Sequence, residues 1–161
     1  MTYTFTDLQQ SLPQTGIVQG IYLRPAKFAD PLSVKIVQAS QNYGLEGDHY
    51  HSITSRKRQV TLIQYEHIGV LASLLNRTAL EPELLRRNIV VSGINLLALK
   101  DQKFSVGSAV LEMTGLCHPC SRMEKALGPG GYNVMRGHGG ITARVVTDGE
   151  IKLGDIVAVI R

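Results

Sequence analysis

Short β-branched and apolar runs bounded by glycine, proline and polar residues recur along this chain, and they predict strands far more often than helices. From Gly16 the run Ile17-Val18-Gln19-Gly20-Ile21-Tyr22-Leu23-Arg24-Pro25 is β-branched and aromatic and ends on proline, as a strand should. Shorter strands are predicted at residues 34–37, 58–63 and 88–91, and longer apolar-rich ones at 104–113, 142–146 and 151–159. Between Tyr65 and Leu75 the spacing changes: Ile68, Leu71, Ala72, Leu74 and Leu75 recur at helical intervals, and a shorter helix is expected after Pro82.

Two strand units share a form, Val106-Gly107 and Leu153-Gly154, each placing a glycine where the chain can bend before an apolar run. Asn42-Tyr43-Gly44-Leu45-Glu46-Gly47-Asp48 reads as a turn-rich loop. Many strands with few helices between them do not make a doubly wound parallel sheet. They predict a mainly β protein, a closed or strongly curved and mostly antiparallel barrel, in one domain over residues 1–161 with its core at about 16–159.

Composition narrows the classes. With 161 residues, 43% hydrophobic and 19% charged without long charge runs, the chain can bury a core and needs no disulfide to stabilise it. No apolar stretch is long enough to span a bilayer, and the start lacks the basic and apolar blocks of a secretory leader, so a cytoplasmic protein with reduced cysteines is expected. The formal charge of +4 comes from scattered basic residues without interleaved aromatics, which fits a small anionic cofactor better than nucleic acid.

Chemistry concentrates at Thr114-Gly115-Leu116-Cys117-His118-Pro119-Cys120-Ser121-Arg122-Met123-Glu124. Ser121 and Glu124 have capping-box spacing and Gly128 is placed to end a short helix, so Cys120 falls just before a helix start. Unsatisfied N–H groups there favour an anion, and His118 and Arg122 add positive charge. Cys120 is therefore expected to be a sulfur nucleophile or soft-metal ligand. The plainer alternative is that one or both cysteines pack as small apolar groups. A structural zinc site lacks a second cysteine pair, and a thioredoxin-like role lacks a βαβ setting.

Two further groups offer ligand contacts. Asp48, His49 and His51 follow the glycine-rich turn, where a carboxylate and imidazole either orient one another or serve the turn alone. The segment from Gly128 to Gly140 contains Arg136 and His138 among glycines whose small size lets backbone N–H groups approach an anion, though it matches no phosphate-loop fingerprint. Arg87-Asn88 supplies a donor fork and an amide at a strand start.

Taken in order, Gly44-Leu-Glu-Gly-Asp48-His49, Arg58-Gln59-Val60-Thr61-Leu62, Arg87-Asn88-Ile89-Val90, Thr114-Gly115 through Pro119-Cys120, and Leu153-Gly154-Asp155 resemble the MOSC domain, named for the C-terminal domain of molybdenum cofactor sulfurases. The resemblance covers nearly the whole chain. It implies a β-barrel and a cysteine that either carries sulfur for metal–sulfur centres or binds the molybdenum of a pterin cofactor. Cys120 is the matched position for the metal, with Cys117 as its competitor; Arg58, Asn88, Asp48, His49 and the loop bearing Arg136 and His138 would hold molybdopterin.

These 161 residues include no aminotransferase-like domain of the kind that supplies sulfur in larger relatives, nor a separate N-terminal barrel extension, so a self-sufficient sulfurase is not expected. Arg87-Asn88 stands where the stand-alone reductases of N-hydroxylated compounds have an acidic residue before the asparagine, and the glycine-rich loop differs from theirs. The expected function is molybdenum-cofactor binding or sulfur carriage, with a sulfur-donor or electron-donor protein as partner. The alternatives are a molybdenum-dependent reductase, or a non-catalytic module whose cysteine is structural.

Overall fold

The computed structural model describes residues 1–50 and 55–161; His51 of the glycine-rich turn lies outside the described residues. Seven strands close into a barrel. They are β1 (Gly16–Leu23), β5 (Val60–Gln64), β6 (Ile89–Ser92), β7 (Lys103–Val106), β8 (Ala109–Leu116), β9 (Ile141–Thr147) and β11 (Ile156–Val159). Around the ring the order is β1-β6-β5-β9-β8-β7-β11, and Gly16 and Ile17 pairing with Val157 and Ile156 seals it.

All neighbours in the ring are antiparallel except β5 and β6, which run parallel with Leu62 opposite Ile89. Parallel neighbours need a crossover. It is supplied by helix α2 (Tyr65–Leu74) and a 3-10 turn at Pro82–Leu85, the two helical segments the spacing predicts between these strands.

Three of the expected strands are divided. The strand expected at 34–37 is the junction of β2 (Leu32–Val34), paired to β1, and β3 (Ile36–Ser40), which joins a small second sheet with β4 (Gly44–Leu45) and β10 (Gly149–Lys152). The chain changes sheets at Lys35, so continuous β-propensity is split by pairing. The expected strand at 151–159 is likewise split into β10 and β11 by a turn at Gly154 (φ +85°), closed by the Asp155 carboxylate accepting from Lys152 N–H at 2.7 Å. The 104–113 stretch is a hairpin turning at Gly107 (φ +59°).

Helix α1 (Phe5–Gln10) has no apolar stripe, because none of its residues is buried. Its start is fixed by a capping box: Asp7 N–H donates to Thr4 Oγ1 and Thr4 N–H to the Asp7 carboxylate.

Two cores result. Phe104, Ile21, Leu62, Ile89, Leu111 and their neighbours fill the barrel. On the outer face of β5 and β6, Ile63 and Val90 pack against Ile68 and Leu71 of α2, Leu85, and Met123, Leu127 and Met135 of two short helices, α3 (Ser121–Leu127) and α4 (Gly131–Met135). Burying Met123 and Leu127 contributes about 1.5–3 kcal/mol each, enough to hold α3 against the barrel wall. This second core therefore fixes the helix that carries the cysteine motif. Among the described residues no helix is long and apolar enough to cross a membrane.

Candidate functional site

The segment 117–120 joins the end of β8 to α3, and the two cysteines differ sharply in environment. Cys120 is exposed and is itself the N-cap of α3, with extended backbone and no side-chain cap bond. Cys117 is buried, 4% exposed. The expected capping box from Ser121 to Glu124 does not form, because Ser121 is already the first helical residue. Glu124 instead turns forward and accepts from Tyr132 N–H and Gly130 N–H, both at 2.8 Å, which ties α3 to the start of α4 and holds its carboxyl below the usual range. Gly128 ends α3 at φ +89°.

Cys117 is clamped through its backbone. Its N–H donates to Gly140 C=O at 2.9 Å, and its C=O accepts from Arg87 Nη2 at 3.2 Å. Arg87 is almost wholly buried and also donates from Nε to Gly139 C=O and from Nη1 to Leu85 C=O, each at 2.9 Å. One guanidinium thus joins the cysteine loop, the glycine-rich loop and the crossover. Burial pushes it below its ordinary range, charge on Cys117 and Cys120 acts the other way, and the positive Arg58 and Arg24 add to the lowering. It keeps its charge, as arginine does in proteins.

Close approach explains the glycines here. A Cβ at Gly139 would lie 2.1 Å from the Cys117 carbonyl oxygen, and one at Gly140 only 1.9 Å from that of Leu62. Gly139 and Gly140 use their carbonyls to hold Arg87 and Cys117. A cavity beside Cys117, lined among others by Leu97, His118 and Met135, has a volume of about 100 Å³. That is well short of the roughly 300–1,000 Å³ of a ligand pocket, so this cavity does not enclose a large ligand.

Around the cysteines the fold gathers guanidinium groups from separate parts of the chain. Arg58 Nη2 stands 4.0 Å from Cys117 Sγ. Arg24, at the end of β1, is held by Asp48: its backbone N–H and Nε donate to Oδ1 at 2.8 and 3.3 Å, and Nη2 to Oδ2 at 3.1 Å. Asn88 braces the same carboxylate through Nδ2 at 3.2 Å, while its Oδ1 accepts from Thr61 N–H and Oγ1 and its Nδ2 also donates to Tyr22 C=O. Arg86 donates to Ala29 and Lys27 carbonyls, and Arg122 donates to Lys27 C=O and lies over the Phe28 ring at 4.6 Å. Burial, then Arg122 and Arg24, push the Arg86 guanidinium down, with Asp30 and Asp48 opposing.

The fold thus gathers two groups: Cys117 with Arg58 and Arg87, and Asp48 with Arg24 and Asn88. His49 adjoins the second, its backbone N–H and Nδ1 meeting Arg24 C=O at 2.7 and 3.0 Å. Arg136 is exposed, and no hydrogen bond among the described residues joins Arg136 or His138 to either cysteine. His138 faces α2 instead: its Nδ1 meets Val134 C=O at 2.9 Å and its ring stands edge-on to His67 at 5.2 Å. Sequence reasoning missed Arg24 and Arg86, whose positions near the motif depend on long-range pairing; the Pro25 after Arg24, marking a strand end, was the available signal.

The histidine pair makes stability pH-dependent. Burial, and then the facing His138, push the His67 imidazole below its ordinary value, with Glu66 opposing. Below about pH 6.5 the unfolded chain takes up a proton that folded His67 resists, so stability falls as pH drops through this window. Urea unfolding of wild type and His67→Asn from about pH 7.5 to 5.5 is expected to show a shallower loss in the variant.

The fold and site define a small barrel protein with an exposed thiol at a helix start and, three residues before it, a buried cysteine beside the Arg58 and Arg87 guanidinium groups. The MOSC domain model matches residues 47–158, and the chain belongs to the MOSC domain family, which is linked to molybdenum-cofactor-related function. Among solved structures, the YUAD protein of Bacillus subtilis superposes with a TM-score of 0.80 at 20% identity, covering 92% of this chain and 97% of that one. YiiM from Geobacillus stearothermophilus gives a TM-score of 0.74 at 16% identity, covering 91% and 75%. YiiM from Escherichia coli gives 0.70 at 15%, covering 90% and 70%. At such identities the likeness is one of fold. A comparison with curated proteins gives no match.

Proposed function

We propose that this protein handles the molybdenum cofactor in the cytoplasm through Cys120, which ligates the molybdenum or accepts sulfur destined for it. The observation that carries this proposal is the exposed Cys120 at the start of α3, in a loop whose other end, at the Cys117 carbonyl, is held by the buried Arg87 guanidinium. The donor set suits the group. A thiolate is a soft metal ligand and sulfur acceptor, and guanidinium groups match phosphate and pterin oxygens.

The cofactor would supply a redox-active molybdenum centre. Arg58 would reach the phosphate or pterin, since its contact with Cys117 Sγ, at 4.0 Å, is weak. Asp48 and Asn88 would act through Arg24, and His49 by holding the Arg24 backbone. The loop bearing Arg136 and His138 would act mainly through Gly139 and Gly140, which fix Arg87 and Cys117. Charge steering by these arginines would draw the anionic cofactor toward the sulfur. A sulfur-donor or electron-donor protein would complete the reaction.

Molybdenum content and bound sulfane sulfur, measured on gently purified protein from cells that make the cofactor, test the proposal. Wild type is expected to retain one or the other, and Cys120→Ala to lose at least about tenfold of it, equivalent to about 1.4 kcal/mol. Arg58→Glu should reduce molybdenum retention while keeping the fold. Wild type carrying neither, or an undiminished Cys120→Ala, would overturn it.

A further inference from the structure

Phe28 stands in the loop after β1, 78% exposed, and two guanidinium groups hold it there. Arg86 Nη2 and Arg122 Nη1 both donate to the Lys27 carbonyl, each at 3.2 Å, and Arg86 Nη1 donates to that of Ala29 at 2.9 Å. The backbone is thus pinned on either side of Phe28. Over its ring lie the Arg122 guanidinium, 4.6 Å from the centroid, and the Lys27 ammonium, at 5.6 Å. Three cations therefore gather at one exposed aromatic. Among the described residues none of Lys27, Arg86 and Arg122 forms an ion pair with a carboxylate; Asp30 and Asp48 act on Arg86 only through space, and Asp48 is already bonded to Arg24. Stapling the loop accounts for the carbonyl bonds of Arg86 and Arg122. Like charges gathered without a carboxylate repel, however, and an apolar ring held in water gains nothing from burial.

We infer that Lys27, Phe28, Arg86 and Arg122 form a docking surface for an acidic protein, which presents carboxylates to the three cations and an apolar contact to the ring. Charge complementarity selects the class of partner. The relief favours a protein over a small ligand, because small ligands bind in concave sites that enclose them and this ring stands out into solvent. An aromatic ring and two arginines are residue types enriched in protein interfaces. With the loop pinned at residues 27 and 29, the ring is in place before binding, so less ordering is needed when the partner arrives. A nucleic acid strand would call for successive stacking rings, whereas the cations here gather at one. Arg122 lies in the first turn of α3, whose N-cap is Cys120, so a partner seated on this surface is brought to the helix start that carries the exposed thiol. This deepens the proposed function, which calls for a donor protein at Cys120, and rests on it for the partner's role alone.

The carboxylate-rich peptide Glu-Asp-Leu-Glu-Asp-Leu-Glu-Glu, titrated into the isotope-labelled protein and followed by amide NMR shifts, tests the surface. Saturable shifts are expected at Lys27, Phe28, Ala29, Arg86 and Arg122, and they should weaken as salt rises. Lys27→Glu should weaken binding about tenfold and Phe28→Ala about fivefold, while Lys103→Glu, the same charge change at an exposed position on β7, should alter it less than about twofold. Lys27 and Phe28 are both exposed, so the fold does not depend on either side chain. Equal losses in Lys27→Glu and Lys103→Glu, full affinity in Phe28→Ala, or no saturable shifts at these positions overturns the inference. Parallel arms use a thymidine oligonucleotide and vesicles of phosphatidylcholine with phosphatidylserine; tighter binding of either, lost in Phe28→Ala, overturns the assignment to a protein. Because the readout is binding, each of these failures leaves the handling of molybdenum or sulfur at Cys120 standing, and failure of Cys120 in that role leaves the docking surface standing.

Discussion

Replacing Arg87 with alanine is expected to cost about 3–5 kcal/mol of stability, because hydrogen bonds to a charged donor contribute roughly 1.5–3 kcal/mol each and do not add fully. For a domain of this size that is a fall in Tm of roughly 10 °C or more. Three carbonyls, those of Leu85, Cys117 and Gly139, lose their donor together, in a place where the side chain is 7% exposed. Burial opposes the charge, so Arg87→Met tests which effect wins. Methionine relieves the buried charge but leaves the carbonyls unsatisfied, and it too is expected to be destabilised. Lysine, which cannot span three acceptors in a plane, should recover only part. Thermal and urea unfolding check these outcomes; a loss below about 1 kcal/mol for Arg87→Ala would mean that water replaces the guanidinium.

Gly140→Ala is the second severe change. Its Cβ would lie 1.9 Å from the Leu62 carbonyl oxygen, on backbone at φ +85°, so the loop must shift away from β5. Strain of about 1–2 kcal/mol for the left-handed conformation adds to an overpacking cost of about 1–3 kcal/mol, for a total of about 3 kcal/mol. Gly137→Ala is the control: its φ is +81° but a Cβ meets nothing within 4 Å, so it should cost only about 1 kcal/mol. Because Gly140 C=O holds Cys117 N–H, the shift should also loosen Cys117 and speed its alkylation in Gly140→Ala but not in Gly137→Ala.

The barrel was legible because its strands alternate. Residues 17–23 and 104–113 show the two-residue period of a sheet with one face on a core, whereas 60–63 are buried on both faces. The parallel pairing of β5 and β6 was not, although the helix between them was, since direction is decided by where the crossover docks. The strand break at Lys35 escaped because β-propensity continues through it while the chain changes sheets; at Gly154 the bend was legible, but not that the two sides of it join different sheets. Helix α1 escaped because hydrophobic periodicity detects buried faces and it has none.

At the site, the cysteine pair and the end of α3 at Gly128 were readable from local spacing. Glu124 misled for a local reason: its carboxylate had two competing sets of N–H groups, and those of Gly130 and Tyr132 won. Arg24 could not be read at all. It matters through Asp48, 24 residues on, and through Asn88, 40 residues beyond that. Such a chain of contacts exists only once β1 and β6 are adjacent.

The central claim, that an exposed Cys120 lies in a field of clustered guanidinium charge, is tested most directly by alkylation with two reagents of opposite sensitivity. Rates for anionic iodoacetate and neutral iodoacetamide at each cysteine can be followed by peptide mass, beside an unfolded peptide of residues 112–126. The account predicts that Cys120 reacts well before Cys117, that the iodoacetate-to-iodoacetamide ratio at Cys120 exceeds that of the peptide, and that the excess shrinks as salt rises and screens the arginines. A ratio equal to the peptide's at low salt, or Cys117 reacting first, would contradict it.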